Sequence, residues 1–298
     1  MLTTFLPSHL AIKETALNKI NLNELQDWEG REETREDQIS LAPVRALSST
    51  LDHNPSDFIK GGVLPPLYHW LSFLDLTRFS DMAEDGHAKK GGFIPPIPFP
   101  RRMFAGGRIN YAGDLLIGQK VRRVSKIKSV LHKEGRSGDI IFVTVAHQIS
   151  NEEGVQLTEE HDIAYLPGPQ KTKPSKKISE ELPKSDFSRS IQPDERLLFR
   201  FSALTFNSHR IHYDLPYVRS EGYPALVIHG PLTAMLLADL GWCEHHHSSF
   251  KHFSFRAKSA LYLGDTLRLI GKNCDDGIEL AAFNDHGIEC FSAKAVLR

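Results

Sequence analysis

The stretch "LVIHGPLTAMLLADLGW", residues 226–242, decides how this chain folds. Pro231 stands where the first turn of a helix tolerates a missing N–H, a Leu- and Ala-rich run follows, and Gly241 stands where a helix stops. Apolar side chains surround such a helix almost completely, so it has no face for water and must be buried. What comes next differs in kind. "HFSFRAKSALYLGDTLRLIGKN" (252–273), "GIELAAFND" (277–285) and "GIECFSAKAVLR" (287–298) are short alternating runs separated by Gly-Asp, Asp-Asp-Gly and Asn-Asp-His-Gly turns. That is the pattern of antiparallel strands joined by hairpins. Only a sheet that curls around the helix covers all of its faces.

The first half repeats the plan, as an internal repeat would. "GGVLPPLYHWLSFLDL" (61–76) reads as a buried helix, and the segments 101–135, 138–154 and 155–166 read as long antiparallel strands. The expected class is therefore α+β, a double hot-dog in which each copy is a curled antiparallel sheet wrapped around one central helix. Between the copies, "PGPQKTKPSKKISEELPKSDFSRSIQPDE" (167–195) is rich in Lys, Ser and Pro and reads as a linker. This divides the chain into an N-terminal copy over 1–166 and a C-terminal copy over 196–298.

Composition excludes several classes. With 298 residues, 40% hydrophobic and 24% charged, the chain is too apolar for disorder. Thirty-six basic against 37 acidic side chains leave a net charge of −1, so no nucleic-acid partner is expected. Three widely spaced cysteines without a Cys-x-x-Cys pair fit a reducing compartment. Neither a signal peptide nor a membrane span is legible. A cytoplasmic location is expected, or the mitochondrial matrix in a eukaryote. The glycine pairs in "KGGVL", "KGGFI" and "AGGRI" match no phosphate-binding loop. The run "CEHHHSSFKHF" with His245, His246, His247 and His252 has consecutive rather than converging imidazoles, so no metal site is expected.

Chemistry concentrates in "LTFNSHRIHYDLPYV" (204–218), where Asn207, His209, His212 and Asp214 fall within eight positions just ahead of the buried helix. A His-x-x-His at a helix start is, taken alone, more often a cap or a core pair than a catalytic site. Together with "IHGPLTAMLL" and "LGDTLRL" it resembles the second half of the MaoC-like, hydratase 2 family of enoyl-thioester hydratases. The family motif runs Asp-x-Asn-Pro-(aliphatic)-His with a trailing Asp. Ile211, His212 and Asp214 match it, while Asn207 replaces the Asp, His209 the Asn and Arg210 the Pro. "GGVLPPLYHW", "DGHAKKGGFIPPIPFPRRMFAGGRINY" and "KEGRSGDIIFVTVAHQI" are similar to the double-hot-dog subgroup that contains mesaconyl- and itaconyl-CoA hydratases and type 2 hydroxyacyl-thioester dehydratases. In the first copy, "LDHNPSD" (51–57) keeps Asp52, Asn54 and Pro55 but has Asp57 where the His belongs. A single active site, in the second copy, is expected.

The resemblance implies water addition to an enoyl-CoA or carrier-bound acyl thioester, or the reverse dehydration, with no cofactor beyond the CoA of the substrate. It places His212 as the proton-transfer group, a role that imidazole suits near neutrality. An amide at Asn207 orients a water but does not take its proton. Either His212 is the sole base with Asn207 holding the water, or His209 or Asp214 takes the carboxylate's task; the first is preferred. The N-terminus of the buried helix offers the Gly230 N–H to the enolate oxygen. Basic candidates for CoA phosphates are Lys89, Lys90, Arg101, Arg102, Arg256 and Lys258, and Arg101 and Arg102 are also the guanidinium candidates for a second substrate carboxylate. The alternatives on the same fold are a thioesterase and a non-catalytic acyl-thioester binder. A homo-oligomer is expected.

Overall fold

The computed structural model describes residues 21–135, 138–168 and 182–298. In chain order the elements are α1 (Leu22–Gln26), β1 (Glu32–Gln38), α2 (Leu41–Thr50), β2 (Arg101–Tyr111), β3 (Lys120–Gly135), β4 (Gly138–Asn151), β5 (Gly154–Leu166), β6 (Phe187–Ile191), α3 (Glu195–Leu204), α4 (Leu215–Ser220), α5 (Gly230–Glu244), β7 (Phe250–Ala257), β8 (Leu267–Cys274), β9 (Gly277–Phe283) and β10 (Glu289–Leu297). All ten strands form one sheet in the order β1-β3-β4-β5-β2-β7-β10-β9-β8-β6. Outward from the centre, the two halves use their strands in the same sequence. They meet where β2 pairs antiparallel with β7, Gly107 opposite Phe255 and Ile109 opposite Phe253.

The helix that decides the fold is α5, and every residue from Leu232 to Gly241 on it is buried. Its all-round apolar surface is covered because β2 and β6 to β10 touch it on successive sides. The central core joins α5 to the α2 and α3 helices and to both halves of the sheet. A smaller cluster under β3, β4 and β5 is roofed by Ile97 and Phe99 of the Gly- and Pro-rich segment. Among the described residues no helix is long and apolar enough to cross a membrane.

Two expectations are corrected at the level of single elements. Where 61–76 reads as a helix, the chain forms only the 3₁₀ turn Tyr68–Leu71. Pro65 and Pro66 remove two N–H donors ahead of it, and Leu67 and Phe73 adopt left-handed φ values of 68° and 58°, which an α-helix does not propagate through. Leu64, Leu67, Tyr68, Leu71 and Phe73 are nevertheless core residues, so the apolar run was correctly read as buried. Likewise, part of the segment read as a linker is strand β6, which pairs with β8. Gly271 has no side chain because Phe187 lies across it, 1.9 Å from where a Cβ would stand. Residues 169–181 of that segment, and the amino-terminal 1–20, lie outside the described residues.

The first copy's degenerate motif has acquired a structural task. His53 Nε2 lies 2.6 Å from Asp239 Oδ1, on the buried helix α5. Arg189 of β6 binds the other carboxylate oxygen. The side chain of Asp239 is 3% exposed, so its charge needs both partners.

Candidate active site

The segment after α3 is shaped turn by turn. Phe206 has φ 51° and reverses the chain. Asn207 Oδ1 then accepts the His209 N–H at 2.9 Å, which sets up the 3₁₀ turn Arg210–His212. Asp214 accepts the Tyr217 N–H at the start of α4 and pairs with Arg210 through its Nε and a terminal nitrogen at 2.9 and 2.7 Å. These contacts turn His209 and His212 inward, where they are 8% and 7% exposed. The first copy builds the same turn at Pro55–Asp57, with Asn54 accepting the Ser56 N–H.

His212 is fixed in one tautomer. Its Nδ1–H donates to the Val227 carbonyl at 2.7 Å, which leaves Nε2 with a lone pair. Burial, opposed by that hydrogen bond, brings its pKa down to about 4, so at neutral pH it is an uncharged acceptor. Its ring stacks on His229 with centroids 3.6 Å apart. His229, fully buried, is held by the Ser202 hydroxyl at 2.8 Å and is the N-cap of α5. Gly230 is the first residue of that helix, and no acceptor for its N–H is found among the described residues. A methyl group there would clear Phe291 by 3.5 Å and the Phe104 carbonyl by 3.6 Å, so packing does not demand glycine.

A second loop reaches this site from the first half of the chain. Asp85 Oδ1 accepts the His87 N–H at 2.9 Å, and its Oδ2 lies 3.1 Å from His87 Nδ1. The Asp85 carbonyl accepts the Arg210 N–H at 2.9 Å, and the Ser208 hydroxyl donates to the Gly86 carbonyl at 2.7 Å. Gly86 has φ 88°, and a Cβ would stand 1.9 Å from the Ser208 carbonyl oxygen. Docked this way, the loop brings the His87 ring to 4.2 Å from that of His209, which is itself 5.5 Å from His212. Burial would raise the Asp85 carboxyl, but the bonds and charge of His87 outweigh it and hold it well below the usual carboxylate range. Burial lowers His87 and His209, and it pushes His229 far below the ordinary imidazole value. Gly86→Ala is expected to lower kcat by about 10-fold or more, because a misplacement of about 1 Å in a positioned group suffices for such losses, and to lower the unfolding midpoint as well, because the added Cβ meets the Ser208 carbonyl at a positive φ. Steady-state kinetics beside a urea melt checks this.

The other sequence candidates divide sharply. Asp214 is occupied by Arg210 and the α4 cap, so as a substitute base it is corrected to a structural role. The Asn207 oxygen shapes the turn. Arg101 is 5% exposed and donates to the Tyr223 hydroxyl at 2.9 Å, an internal staple rather than a phosphate contact. Lys90 binds the Ile97 and Phe99 carbonyls, and Lys89 binds that of Ser80. Lys258 pairs with Glu289. Arg256 is exposed on β7. Arg102, whose charge reaches both His87 and His209, has no ion pair or hydrogen bond among the described residues. Sequence reasoning missed Asp85 and His87. Their signal was the "DGH" ahead of Lys89, more than a hundred residues from the motif it serves.

Three groups of side chains could offer ligands to an ion among the described residues: His53 with Asp239 and Cys243, Asp85 with His87 and His209, and His147 with Glu159 and His161. The His245–His247 run is in none of them; the His247 ring lies tilted against Trp242, with centroids 4.1 Å apart.

Comparison with known proteins gives the family. The family model for hydroxyacyl-thioester dehydratase type 2 matches residues 67–263. The mesaconyl-C(4)-CoA hydratase of Chloroflexus aurantiacus is 46% identical over 276 residues, 91% of this chain and 96% of that protein. The mitochondrial hydroxyacyl-thioester dehydratase type 2 of Schizosaccharomyces pombe is 28% identical, covering 78% of this chain and 87% of its own. A MaoC-like dehydratase structure from Phytophthora capsici shares the fold at a TM-score of 0.70, with 13% identity over 94% of this chain and 98% of that one. A double hot-dog, the chain belongs to the hydroxyacyl-thioester dehydratase type 2 family and is a hydratase/dehydratase, a carbon–oxygen lyase acting on acyl thioesters.

Proposed function

We propose that the chain adds water to the double bond of a short dicarboxylic enoyl-CoA of the mesaconyl type, using one site per chain and only its own side chains. The observation that carries the reading is His212, an imidazole pinned through Nδ1 so that Nε2 keeps its lone pair, with its ring stacked on the N-cap residue of the buried helix. In this reading Nε2 takes a proton from water as the water oxygen bonds to the β-carbon. The electron pair of the double bond moves toward the thioester oxygen, where the Gly230 N–H and the helix dipole meet the charge. The α-carbon then takes a proton, and one water has been added across the double bond. The identity to a mesaconyl-C(4)-CoA hydratase supports a dicarboxylic substrate. Arg102, without a partner among the described residues, is the guanidinium suited to pair with the free carboxylate.

Crotonyl-CoA, itaconyl-CoA and both mesaconyl thioesters, followed by loss of enoyl absorbance, product mass and a thiol assay, test this. The C4 thioester is expected to react fastest, gaining one water without free thiol. Arg102→Gln should raise its KM about 10-fold or more and change the KM for crotonyl-CoA far less, since a charged hydrogen bond contributes about 1.5–3 kcal/mol. Thiol release, or a preference for crotonyl-CoA indifferent to Arg102, would overturn it.

A further inference from the structure

We propose that His87, oriented by Asp85, is the second proton-transfer group of the site and does the work of the motif carboxylate that Asn207 has replaced. The inference rests on the hydratase reading and concerns the step that reading leaves open, the source of the α-carbon proton.

Three observations carry it. The first is the anchoring of the loop. The Asp85 and Glu84 carbonyls accept from Arg210, the Gly86 carbonyl accepts from Ser208, and Gly86 lies flat on the Ser208 carbonyl. Residues 84–87 are thus fastened to the 208–210 turn of the other half of the chain, and a Cβ at residue 86 would break the fit. The second is the internal arrangement. Asp85 binds both the backbone N–H and Nδ1 of His87, so Nε2 is the free end of the ring. A carboxylate on one imidazole nitrogen fixes the tautomer and favours the imidazolium. The third is position. The His209 ring touches those of both His87 and His212, with centroids 4.2 and 5.5 Å away. Burial, the strongest influence, and the charges of Arg102 and Lys90 oppose protonation of His87 while Asp85 supports it, so its imidazolium is a minor but strongly acidic form. A carboxylate–imidazole pair placed in an interior only to fill space is poorer than apolar packing, and such pairs gather at functional sites.

The proton balance closes over a turnover. His212 Nε2 receives the proton of the attacking water, and protonated His87 gives one from Nε2 to the α-carbon. This leaves His212 charged and His87 neutral. Exchange with solvent then takes the proton from His212 and returns one to His87. In dehydration the roles reverse, His87 taking the α-proton and His212 protonating the departing hydroxyl.

The test is a cycle of variants assayed on the best substrate found for the wild type. His87→Ala is expected to lower kcat about 100-fold or more, the low end for a lost general acid, while KM changes less than about 3-fold. Asn207→Asp, which restores the motif carboxylate, should return about 10-fold or more of that loss in the His87→Ala background and nothing in a His212→Ala background. His87→Gln, closer in shape, covers the case in which the alanine variant does not fold, and is expected to lose as much. A kcat for folded His87 variants within about 3-fold of wild type, or a loss that Asn207→Asp does not repair, overturns the inference. If the wild type itself hydrates no enoyl thioester, the hydratase reading has failed instead. Activity lost on dialysis against a chelator and restored by a divalent ion would also overturn it, since Asp85, His87 and His209 would then be ligands.

Discussion

His212→Ala is expected to lower kcat/KM for hydration by about 10³-fold, within the range that positioned acid–base groups supply. The size follows from the surroundings of the ring. Its Nδ1–H is held by a backbone carbonyl, which no side-chain substitution elsewhere removes, and its stacking on His229 keeps Nε2 aimed at one place. The first copy offers no replacement: Asp57 occupies the equivalent position of the Pro55–Asp57 turn, and His53 is bound to Asp239. Initial rates of enoyl absorbance loss for wild type and variant, with thermal melts to show both folded, give the number. A variant keeping more than about a tenth of the activity would mean that the chemistry lies elsewhere.

The second large effect is on stability. Burial depresses His212 to about 4 and His147 to about 3, and it lowers His87, His209 and His229 as well. Below pH 6.5 the unfolded chain binds protons on these imidazoles while the native chain declines them, so unfolding free energy falls with pH. For His212 alone, a shift from 6.5 to about 4 corresponds to roughly 3 kcal/mol at 1.36 kcal/mol per unit, fully lost near pH 4. By pH 5 His212 alone accounts for about 2 kcal/mol of this, and the other four act in the same direction, so the loss takes much of the margin of an ordinary domain. Two groups act otherwise. The hydrogen bond to Asp239 raises His53, whose stabilisation is present in acid and disappears as pH rises through its folded value above 6.5. Asp85, depressed, keeps its contribution until pH falls below the ordinary carboxylate range. Urea midpoints at pH 7.5, 6 and 5 check the balance. A midpoint that stays level to pH 5 and drops only below about 4.5 would show that carboxylates, not these imidazoles, govern acid unfolding.

Why some of this was legible in the sequence and some was not follows from the range of the forces involved. The α5 helix was readable because its burial is written into every position from Leu232 to Gly241. The strands after it were readable because hairpin turns and period-2 alternation are local. The run 61–76 shows the limit: hydrophobicity placed it in the core, but the element was set by Pro65, Pro66 and the left-handed Leu67. Strand β6 was hidden by its two serines, although Phe187 and Ile191 alternate with them as an edge strand should. In the site, the His212 ring stacks on His229, the N-cap residue that precedes Gly230. Arg101 and Arg102 are neighbours whose alternation along β2 sends one into an internal staple and leaves the other unpaired among the described residues, a choice the sequence does not express. Asp85 and His87 were out of reach for a different reason. Their role exists only once Gly86 lies against Ser208, a contact between the two halves of the chain.

The most direct measurement is a crystal structure of the slow His212→Gln variant with an enoyl-CoA bound. The thioester oxygen is expected about 2.9 Å from the Gly230 nitrogen, with the double bond between residue 212 and His87. An acyl group lodged instead in the first half, against Tyr68 and Trp70 and away from Gly230, would contradict the assignment of the active site to the second copy.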